Sequence, residues 1–369
     1  MMKCAYFWVS SFFIVSSAFC AAVPKIEVKI SSKVKHLKIT SKGDFDFHFL
    51  RGFHKHKSTQ KKLEFDCDFK IASKDKSVLF ASLVSKNPDH DLVFGERRFG
   101  GHLKLATSTS RGCDVIQSIK LNKYLETLLS KEMNGSWPIE ALKAQAVAAR
   151  SYAIDKINNS NNSNFNIISG EIHQVSGSME DVTARTIKAV NETLGEVLVN
   201  EDKTLVPGYY HAECGGKTLD PIDVWSGHMF DYQPAKCPYC HSKTKIKKWY
   251  KKISSNKMLN FLSNYYGISI KKIKSVNIVD SGKIHLRVNK RDFIFLPSDL
   301  RKFVLSLGIK SNNFRVSKYD GENFFITGSG RGHGVGMCQL GALKMAELGF
   351  NYRKILKFYY PKLAIKKLY

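Results

Sequence analysis

The sequence predicts an α+β protein in which a β-rich N-terminal part and a second part of mixed helices and strands share one cleft. Apolar and polar residues alternate between residues 24 and 106, which is the period of β-strands. Two runs with helical spacing follow between residues 121 and 154. Hydrophobic residues make up 43% of the 369 residues and charged residues 24%, which excludes disordered, collagen-like and coiled-coil classes.

The first 22 residues predict a signal peptide. Lys3 precedes an apolar stretch from Ala5 to Val15, and small residues then lead to Pro24. We therefore expect an exported protein of the periplasm or cell envelope. An uncleaved membrane anchor and lipid attachment at Cys20 are the alternatives, although the apolar stretch is shorter than the roughly 20 residues that span a bilayer. Since it is the single long apolar run, a polytopic membrane protein is excluded.

The chain is strongly basic, with 58 Lys and Arg against 32 Asp and Glu and a net charge of +26. Nucleic acid is not the usual polyanion outside the cytoplasm, and the lysines are spread along the chain, so we expect no nucleic-acid partner. An anionic envelope surface is the predicted partner. A solvated basic surface without a specific partner is the competing interpretation.

The β-rich region is predicted to span residues 23–111, and residues 112–369 form the second part. The period-two pattern of the β-rich region is carried by Ile26, Val28, Ile30, Val34, Leu37, Ile39, Phe45, Phe47 and Phe49. The region either ends near Arg111 or merges into the next sheet.

Two consecutive helices are predicted in the second part. The first covers Leu121–Met133 and is ended by Gly135, and the second opens at Pro138 and continues to Ile154. An Asn and Ser run over 158–164 predicts a surface loop. The elements predicted after it are a helix over about 181–193, strands over 196–199 and 205–211, a Lys-rich insert over 243–252, a mixture of strands and helices, and a last helix before Pro361.

Glu132 is the candidate proton donor. It lies on the same helical stripe as Leu125, Leu128 and Leu129, which is predicted to face the core. A carboxyl group in apolar surroundings has a raised pKa and can act as a general acid near neutral pH. The competing interpretation is an exposed or capping residue at the helix end. Glu126 and Glu140, in contrast, are predicted on solvated faces.

A second group of candidates consists of His211, Cys214, Cys237, Cys240 and His241. The paired spacing is typical of a tetrahedral, structural zinc site. A disulfide from Cys214 to Cys237 or Cys240 is the alternative in an exported protein. Both interpretations stay open.

The third candidate is the glycine-dense segment 328–341, which contains Arg331, His333, Cys338 and Gln339. Glycines at this density let the backbone approach another backbone or a ligand closely. The segment lacks the strand and spacing of a dinucleotide loop, and export argues against one, so no organic cofactor is expected. His333 is either a structural histidine or one presented by a tight glycine turn.

Taken together, these segments resemble the SpoIID/LytB family of stage II sporulation protein D. The resemblance covers residues 97–361 and is carried by YLETLLSKEMNGSWPIEALKAQAVAARSYAI, HQVSG, YYHAECGGKT, a downstream VW and GSGRGHGVGMCQLGALKMAELGFNYRKILKFYYP. At Cys338 the sequence departs from the family, where a small hydroxyl residue is commoner.

The resemblance implies a peptidoglycan lytic transglycosylase that acts on glycan strands, preferentially those stripped of stem peptides. It implies that Glu132 is the single catalytic acid/base and that His211 and Cys214 belong to a zinc-binding region. Cys237 and Cys240 carry over with less support. We further expect five residues to bind the sugar: Gln145, Tyr152, Arg331, His333 and Gln339.

Two non-enzymatic alternatives remain. The chain could bind glycan and modulate a partner cell-wall amidase, as the name of some family members suggests. It could also be a zinc-stapled structural protein that tethers the envelope through its charge. An acid on an apolar helical stripe has no purpose in either, so the enzyme is preferred.

Overall fold

The computed structural model describes residues 22–49, 57–67, 78–87, 91–108, 111–170, 174–225, 232–240, 248–270, 272–273, 276–280, 284–288, 290–294 and 297–369. Residues 1–21 of the predicted signal peptide, His241 and residues 243–247 of the Lys-rich insert lie outside the described residues. Within the described ranges, no helix combines the length and the apolar composition that crossing a membrane requires.

The fold is α+β, as predicted. The strands are β1 (Lys25–Val34), β2 (His36–Phe49), β3 (Lys57–Asp66), β4 (Leu79–Ser85), β5 (Leu92–Phe94), β6 (Arg97–Phe99), β7 (His102–Thr107), β8 (Cys113–Lys120), β9 (Ile167–Ile168), β10 (Glu196–Val199), β11 (Tyr210–His211), β12 (Lys248–Ser254), β13 (Val276–Asp280), β14 (Ile284–Val288), β15 (Arg291–Ile294), β16 (Phe314–Tyr319), β17 (Asn323–Ser329), β18 (Met337–Cys338) and β19 (Ala364–Lys367). The helices are α1 (Leu121–Glu132), α2 (Ile139–Asn159), α3 (Ala184–Glu192), α4 (Ser255–Tyr266), α5 (Pro297–Leu307), α6 (Gln339–Glu347) and α7 (Tyr352–Tyr359).

The N-terminal part is one nine-stranded sheet in the order β6-β5-β2-β4-β7-β8-β1-β9, with β3 paired to β2. The predicted alternation is confirmed, since Leu37, Ile39, Phe45 and Phe47 of β2 are all buried on the core side. Strand β8 follows the predicted boundary at residue 111 but pairs with β1 and β7. The sheet therefore continues into the second part, which is the merging alternative.

Helix α2 is the centre of the second part. Every residue of it from Ala141 to Asp155 except Lys143 is buried, and it packs against α1, α3, α6 and α7. Its alanines allow this approach from several sides, because they add little bulk beyond the backbone. The helix runs past Ile154 to Asn159 and so takes in the first residues of the predicted loop.

Three details differ from the sequence prediction. The helix predicted from residue 181 starts at Ala184, because the Thr183 and Thr186 hydroxyls cap it reciprocally. The strand predicted over 205–211 is reduced to β11, because Pro207 donates no backbone hydrogen bond and interrupts pairing. Glu126, predicted to be solvated, is buried and forms an ion pair with Lys123 at 2.9 Å.

Residues 248–329 form a unit that we call the wall module. Its sheets are β12-β17-β16 and β13-β14-β15, and α4 and α5 belong to it. It has its own apolar core, which includes Trp249, Met258, Leu262, Phe303 and Phe324. This core is separate from the one around α2 and from the one within the N-terminal sheet.

A disulfide joins Cys67, just after β3, to Cys113 at the start of β8, with the two Cα atoms 5.6 Å apart. It closes a loop with a sequence separation of 46 residues and lies in the core of the N-terminal sheet. A cross-link of this length lowers the entropy of the unfolded chain considerably.

We predict that the double substitution Cys67→Ser/Cys113→Ser lowers the free energy of unfolding by about 2–4 kcal/mol, because the loop is no longer closed in the unfolded state. Urea denaturation without reductant measures this difference. Wild-type protein in reductant is the control and should match the variant. Equal stability of the two proteins in the absence of reductant would contradict the prediction.

Candidate active site

A cleft of about 920 Å³ lies between the α2 core and the wall module. The prediction that the N-terminal part shares this cleft is wrong, because all described lining residues fall between Lys131 and Gln339 and the facing side comes from the wall module instead. One side carries Glu132, Tyr152, Tyr210 and Gln339, and the facing side carries Val304, Leu305 and Ile309 near the end of α5. Backbone hydrogen bonds hold the two sides together, since Gly332 N–H donates to Lys310 O at 2.9 Å and Asn312 N–H donates to Gly332 O at 3.2 Å.

Glu132 is the last residue of α1 and opens onto this cleft. Its side chain is half-buried behind the buried Leu128 and Leu129, and its Oε1 accepts a hydrogen bond of 2.9 Å from the Val175 N–H. Burial raises the pKa of Glu132, and this exceeds the opposing effects of the Val175 N–H, the Tyr210 hydroxyl and the Gln339 amide. A carboxyl group with this environment can donate and take back a proton.

Buried phenols surround the Glu132 carboxyl group. Burial and the charge of Glu132 raise the pKa of both Tyr124 and Tyr210 well above the usual range, so both stay protonated. Tyr124 Oη donates to Gln174 Oε1 at 3.0 Å, and Gln174 Nε2 donates to the Ala149 carbonyl at 3.3 Å. This network fixes the floor of the cleft below the acid.

His333 stands in an aromatic group at the cleft. Gly332 and Gly334 on either side adopt φ of 101° and 86°, which L side chains rarely adopt, so the backbone turns tightly and presents the imidazole. Its ring centroid lies 5.0 Å from that of Trp225 and 6.2 Å from that of Tyr209. His333 Nδ1 accepts a hydrogen bond of 3.1 Å from the Val335 N–H.

Four of the five predicted sugar-binding residues line the cleft with Glu132, namely Tyr152, Arg331, His333 and Gln339. Gln145 does not. It is fully buried behind Gln339, whose Nε2 donates to Gln145 Oε1 at 3.4 Å, so it positions Gln339 rather than facing the cleft.

The structure brings together four buried thiols, those of Cys214, Cys237, Cys240 and Cys338, with all sulfur atoms within 4.8 Å of one another. The first three belong to the predicted metal set, and the fourth is Cys338 rather than His211. Two backbone groups donate to Cys338 Sγ, the Cys214 N–H at 3.3 Å and the Gly341 N–H at 3.4 Å. Buried sulfur atoms at this spacing fit a tetrahedral zinc ion, in which ligand sulfurs lie about 3.8 Å apart.

His211 has a different environment. Its Nδ1 lies 3.0 Å from the Val335 carbonyl oxygen, and burial lowers its pKa to about 4, so the ring is neutral. Nδ1 carries the proton because a carbonyl oxygen only accepts. The ring faces the cleft and lies 5.6 Å from the His333 ring, centroid to centroid.

Sequence reasoning missed several cleft residues. Tyr209 and Tyr210 lie in the YYHAECGG segment, whose tyrosines could have been recognised as neighbours of His211. Cys338 belongs to the group of four thiols and not to the cleft lining, and its signal is a cysteine where the family favours a hydroxyl residue. The α5 wall has no comparable signal, because its apolar residues look like ordinary core residues of a helix.

Comparison with known proteins identifies a family and several relatives by sequence. The sequence model of the SpoIID family, described as "Stage II sporulation protein", matches residues 109–200. An uncharacterized protein of Brachyspira hyodysenteriae is 36% identical over 251 residues, which are 67% of this chain and 66% of the relative. The amidase enhancer of Bacillus subtilis is 30% identical over 64% of this chain and 39% of its own length.

The stage II sporulation protein D of Bacillus subtilis is 24% identical over 68% of this chain and 76% of the relative. The matched region thus spans about two thirds of the Brachyspira protein and well under half of the amidase enhancer. The motifs around Glu132, the match to the family model and these relatives agree, and the chain belongs to the SpoIID family.

Proposed function

We propose that this protein is an exported lytic transglycosylase that cleaves peptidoglycan glycan strands, preferentially those without stem peptides, and leaves 1,6-anhydro-N-acetylmuramic acid ends. The observation that carries the proposal is that Glu132 is the single carboxyl group among the described residues that line the cleft. Ordinary glycosidases use two carboxyl groups, whereas an intramolecular transglycosylation needs one.

In the first step Glu132 acts as the acid. Its carboxyl proton passes to the glycosidic oxygen while the bond from that oxygen to C1 of N-acetylmuramic acid breaks, and the next sugar leaves with a free 4-hydroxyl. Burial favours the protonated carboxyl before the reaction, and the Val175 N–H, Tyr210 and Gln339 stabilise the carboxylate that forms.

In the second step the Glu132 carboxylate acts as the base. It takes the proton of the 6-hydroxyl of the same muramic acid, whose oxygen bonds to C1 and closes the 1,6-anhydro ring. The proton lost in the first step is thereby regained, and no water is consumed. Glu132 can serve both steps if the broken bond and the 6-hydroxyl are within its reach.

The remaining cleft residues suit an anionic sugar strand. Lys131, Lys310 and Arg331 place positive charge along the cleft around the single acid. The free lactyl carboxylate of peptide-free muramic acid supplies the matching negative charge. Trp225, His333 and Tyr209 offer ring faces and edges to the apolar face of a sugar.

The four thiols are proposed to hold a structural zinc ion. Cys214, Cys237, Cys240 and Cys338 would supply its four sulfur ligands, and the ion would cross-link the segments that carry them. Four thiols fill a tetrahedral ion and leave no open position for water, so the chemical steps belong to Glu132.

Export is part of the proposal. The Cys67–Cys113 disulfide supports an oxidising compartment such as the periplasm or cell envelope. The net charge of +26 supports contact with an anionic envelope surface.

The second candidate function is a glycan-binding modulator of a cell-wall amidase. It is favoured by the similarity to a protein named amidase enhancer. This function needs the cleft to bind glycan but does not need the proton transfers of Glu132.

We predict that Glu132→Gln lowers turnover on peptide-free glycan strands by at least about a hundredfold, because the amide cannot donate the proton. Mass spectrometry of the products measures both rate and end group. Glu140→Gln, outside the cleft, is the matched control and should retain activity. Reducing ends instead of 1,6-anhydro ends would indicate a hydrolase, and binding without cleavage by the wild type would favour the amidase modulator.

The pH profile reports the environment of Glu132. Since the acid must be protonated, kcat/KM should fall as the pH rises through its raised pKa. Tyr210→Phe removes a group that lowers this pKa, so the alkaline limb should move to higher pH. Tyr250→Phe, at an exposed tyrosine, is the control. An unchanged limb, or one at lower pH, would refute the assignment.

We predict one zinc ion per chain in purified protein, measured by mass spectrometry of metals. Cys338→Ser should lower the bound zinc and the Tm, because one of four thiolates is lost. The Cys67→Ser/Cys113→Ser protein should keep its zinc. If Cys214, Cys237, Cys240 and Cys338 instead resist alkylation in denaturant without reductant, these four form two disulfides.

A further inference from the structure

His211 has an acceptor that no described residue of the protein uses. Its Nδ1–H donates a hydrogen bond to the Val335 carbonyl oxygen at 3.0 Å, which leaves the lone pair of Nε2 free to accept one. Nε2 is buried and has no hydrogen-bond partner among the described residues. A buried polar atom without a partner costs free energy, and because His211 lines the cleft, a ligand bound there can supply the missing donor.

The metal site does not supply that partner. The four thiols form a complete group of their own, and the imidazole is not a member of it. A tetrahedral zinc ion has four ligands, and Cys338 occupies the place that the sequence assigned to His211. His211 is therefore free for another role.

The position of His211 points to the bound sugar. The residue lines the cleft, and its neighbour on β11, Tyr210, lies beside the Glu132 carboxyl group. Its ring packs edge-on against His333, whose ring in turn packs against Trp225. A sugar ring held against this aromatic group would bring its hydroxyl and acetamido N–H donors near Nε2.

We propose that His211 is a substrate-binding residue and not a metal ligand, with Nε2 accepting a hydrogen bond from a hydroxyl or acetamido N–H of the N-acetylated sugar bound beside Glu132. This inference rests on the proposed function for its substrate, but not on the chemistry that follows binding. In this role His211 selects a sugar that carries a hydrogen-bond donor at this position. An apolar ring in the same place could not accept that hydrogen bond.

Two substitutions separate the two nitrogen atoms of His211. In His211→Asn the side-chain amide can still donate to the Val335 carbonyl but ends short of Nε2, whereas in His211→Gln an amide oxygen can reach the position of Nε2. Both are made in the Glu132→Gln protein so that strands are bound and not cleaved. Calorimetry then measures the Kd for peptide-free glycan strands, and zinc is counted in the same samples.

We expect His211→Asn to weaken glycan binding about tenfold, His211→Gln to recover most of that loss, and zinc to stay at one ion per chain in both. His102→Asn is the matched control, since it changes another histidine with a buried and unpartnered Nε2, on β7 and outside the cleft. It should leave the Kd unchanged.

Two results would overturn the inference. Loss of zinc in His211→Asn and His211→Gln would make His211 a metal ligand, and an unchanged Kd in both would remove it from substrate binding. The outcome is independent of cleavage. If the wild type releases no 1,6-anhydro products but His211→Asn weakens binding as expected, the proposed reaction fails and the role of His211 stands.

Discussion

The site depends on a short parallel pairing of two strands, β11 and β18, that contribute only two residues each. Strand β11 aligns Tyr210 with Met337 and His211 with Cys338 of β18. This register joins segments that are more than a hundred residues apart in the sequence. It places Tyr210 and Gln339 on the same carboxyl group and brings Cys214 within reach of Cys338. The acid, the imidazole and the thiols are therefore positioned by one short backbone contact. The tight turns around this contact need glycine, because larger residues would separate the strands.

The acid illustrates a balance between burial and hydrogen bonding. Complete burial without partners would keep Glu132 protonated and make it a poor base, and full hydration would make it a poor acid. At the end of α1 the carboxyl group has leucines on one side and the Val175 N–H, Tyr210 and Gln339 on the other. The net effect is a raised pKa with the carboxylate still accessible, which is the condition for using one group twice.

Much of this could be predicted from the sequence where local rules dominate. The alternation in β2 and the helical stripe of α1 determine burial directly, so the sheet and the position of Glu132 followed from the residues. The extent of β11 and the start of α3 depended on Pro207 and on the Thr183 cap, which periodicity ignores. Glu126 was misassigned because the fold covers its side chain and leaves its carboxylate to pair with the exposed Lys123.

The fourth thiol and the α5 wall depended on contacts over long sequence separations. Nothing near Cys338 in the sequence identifies Cys237 as its neighbour. The ligand-spacing rule instead favoured His211, which lies close to Cys214 in the sequence. Likewise, Val304 and Leu305 of α5 have the pattern of an ordinary amphipathic helix, and only the packing of the wall module shows that they line the cleft. Local sequence patterns determine individual helices and strands, whereas a cleft is formed by the packing of helices and strands that are far apart in the sequence.

The two sides of the cleft differ in the apolar core that supports them. The acid lies beside one apolar core, which includes Leu128 and Leu129, and the opposite side of the cleft belongs to another. Substitutions at Leu305 or Ile309 can therefore reshape the space for a ligand while the surroundings of the carboxyl group stay as they are. The choice of ligand and the strength of the acid can thus be changed by different substitutions, either in the evolution of such proteins or by protein engineering.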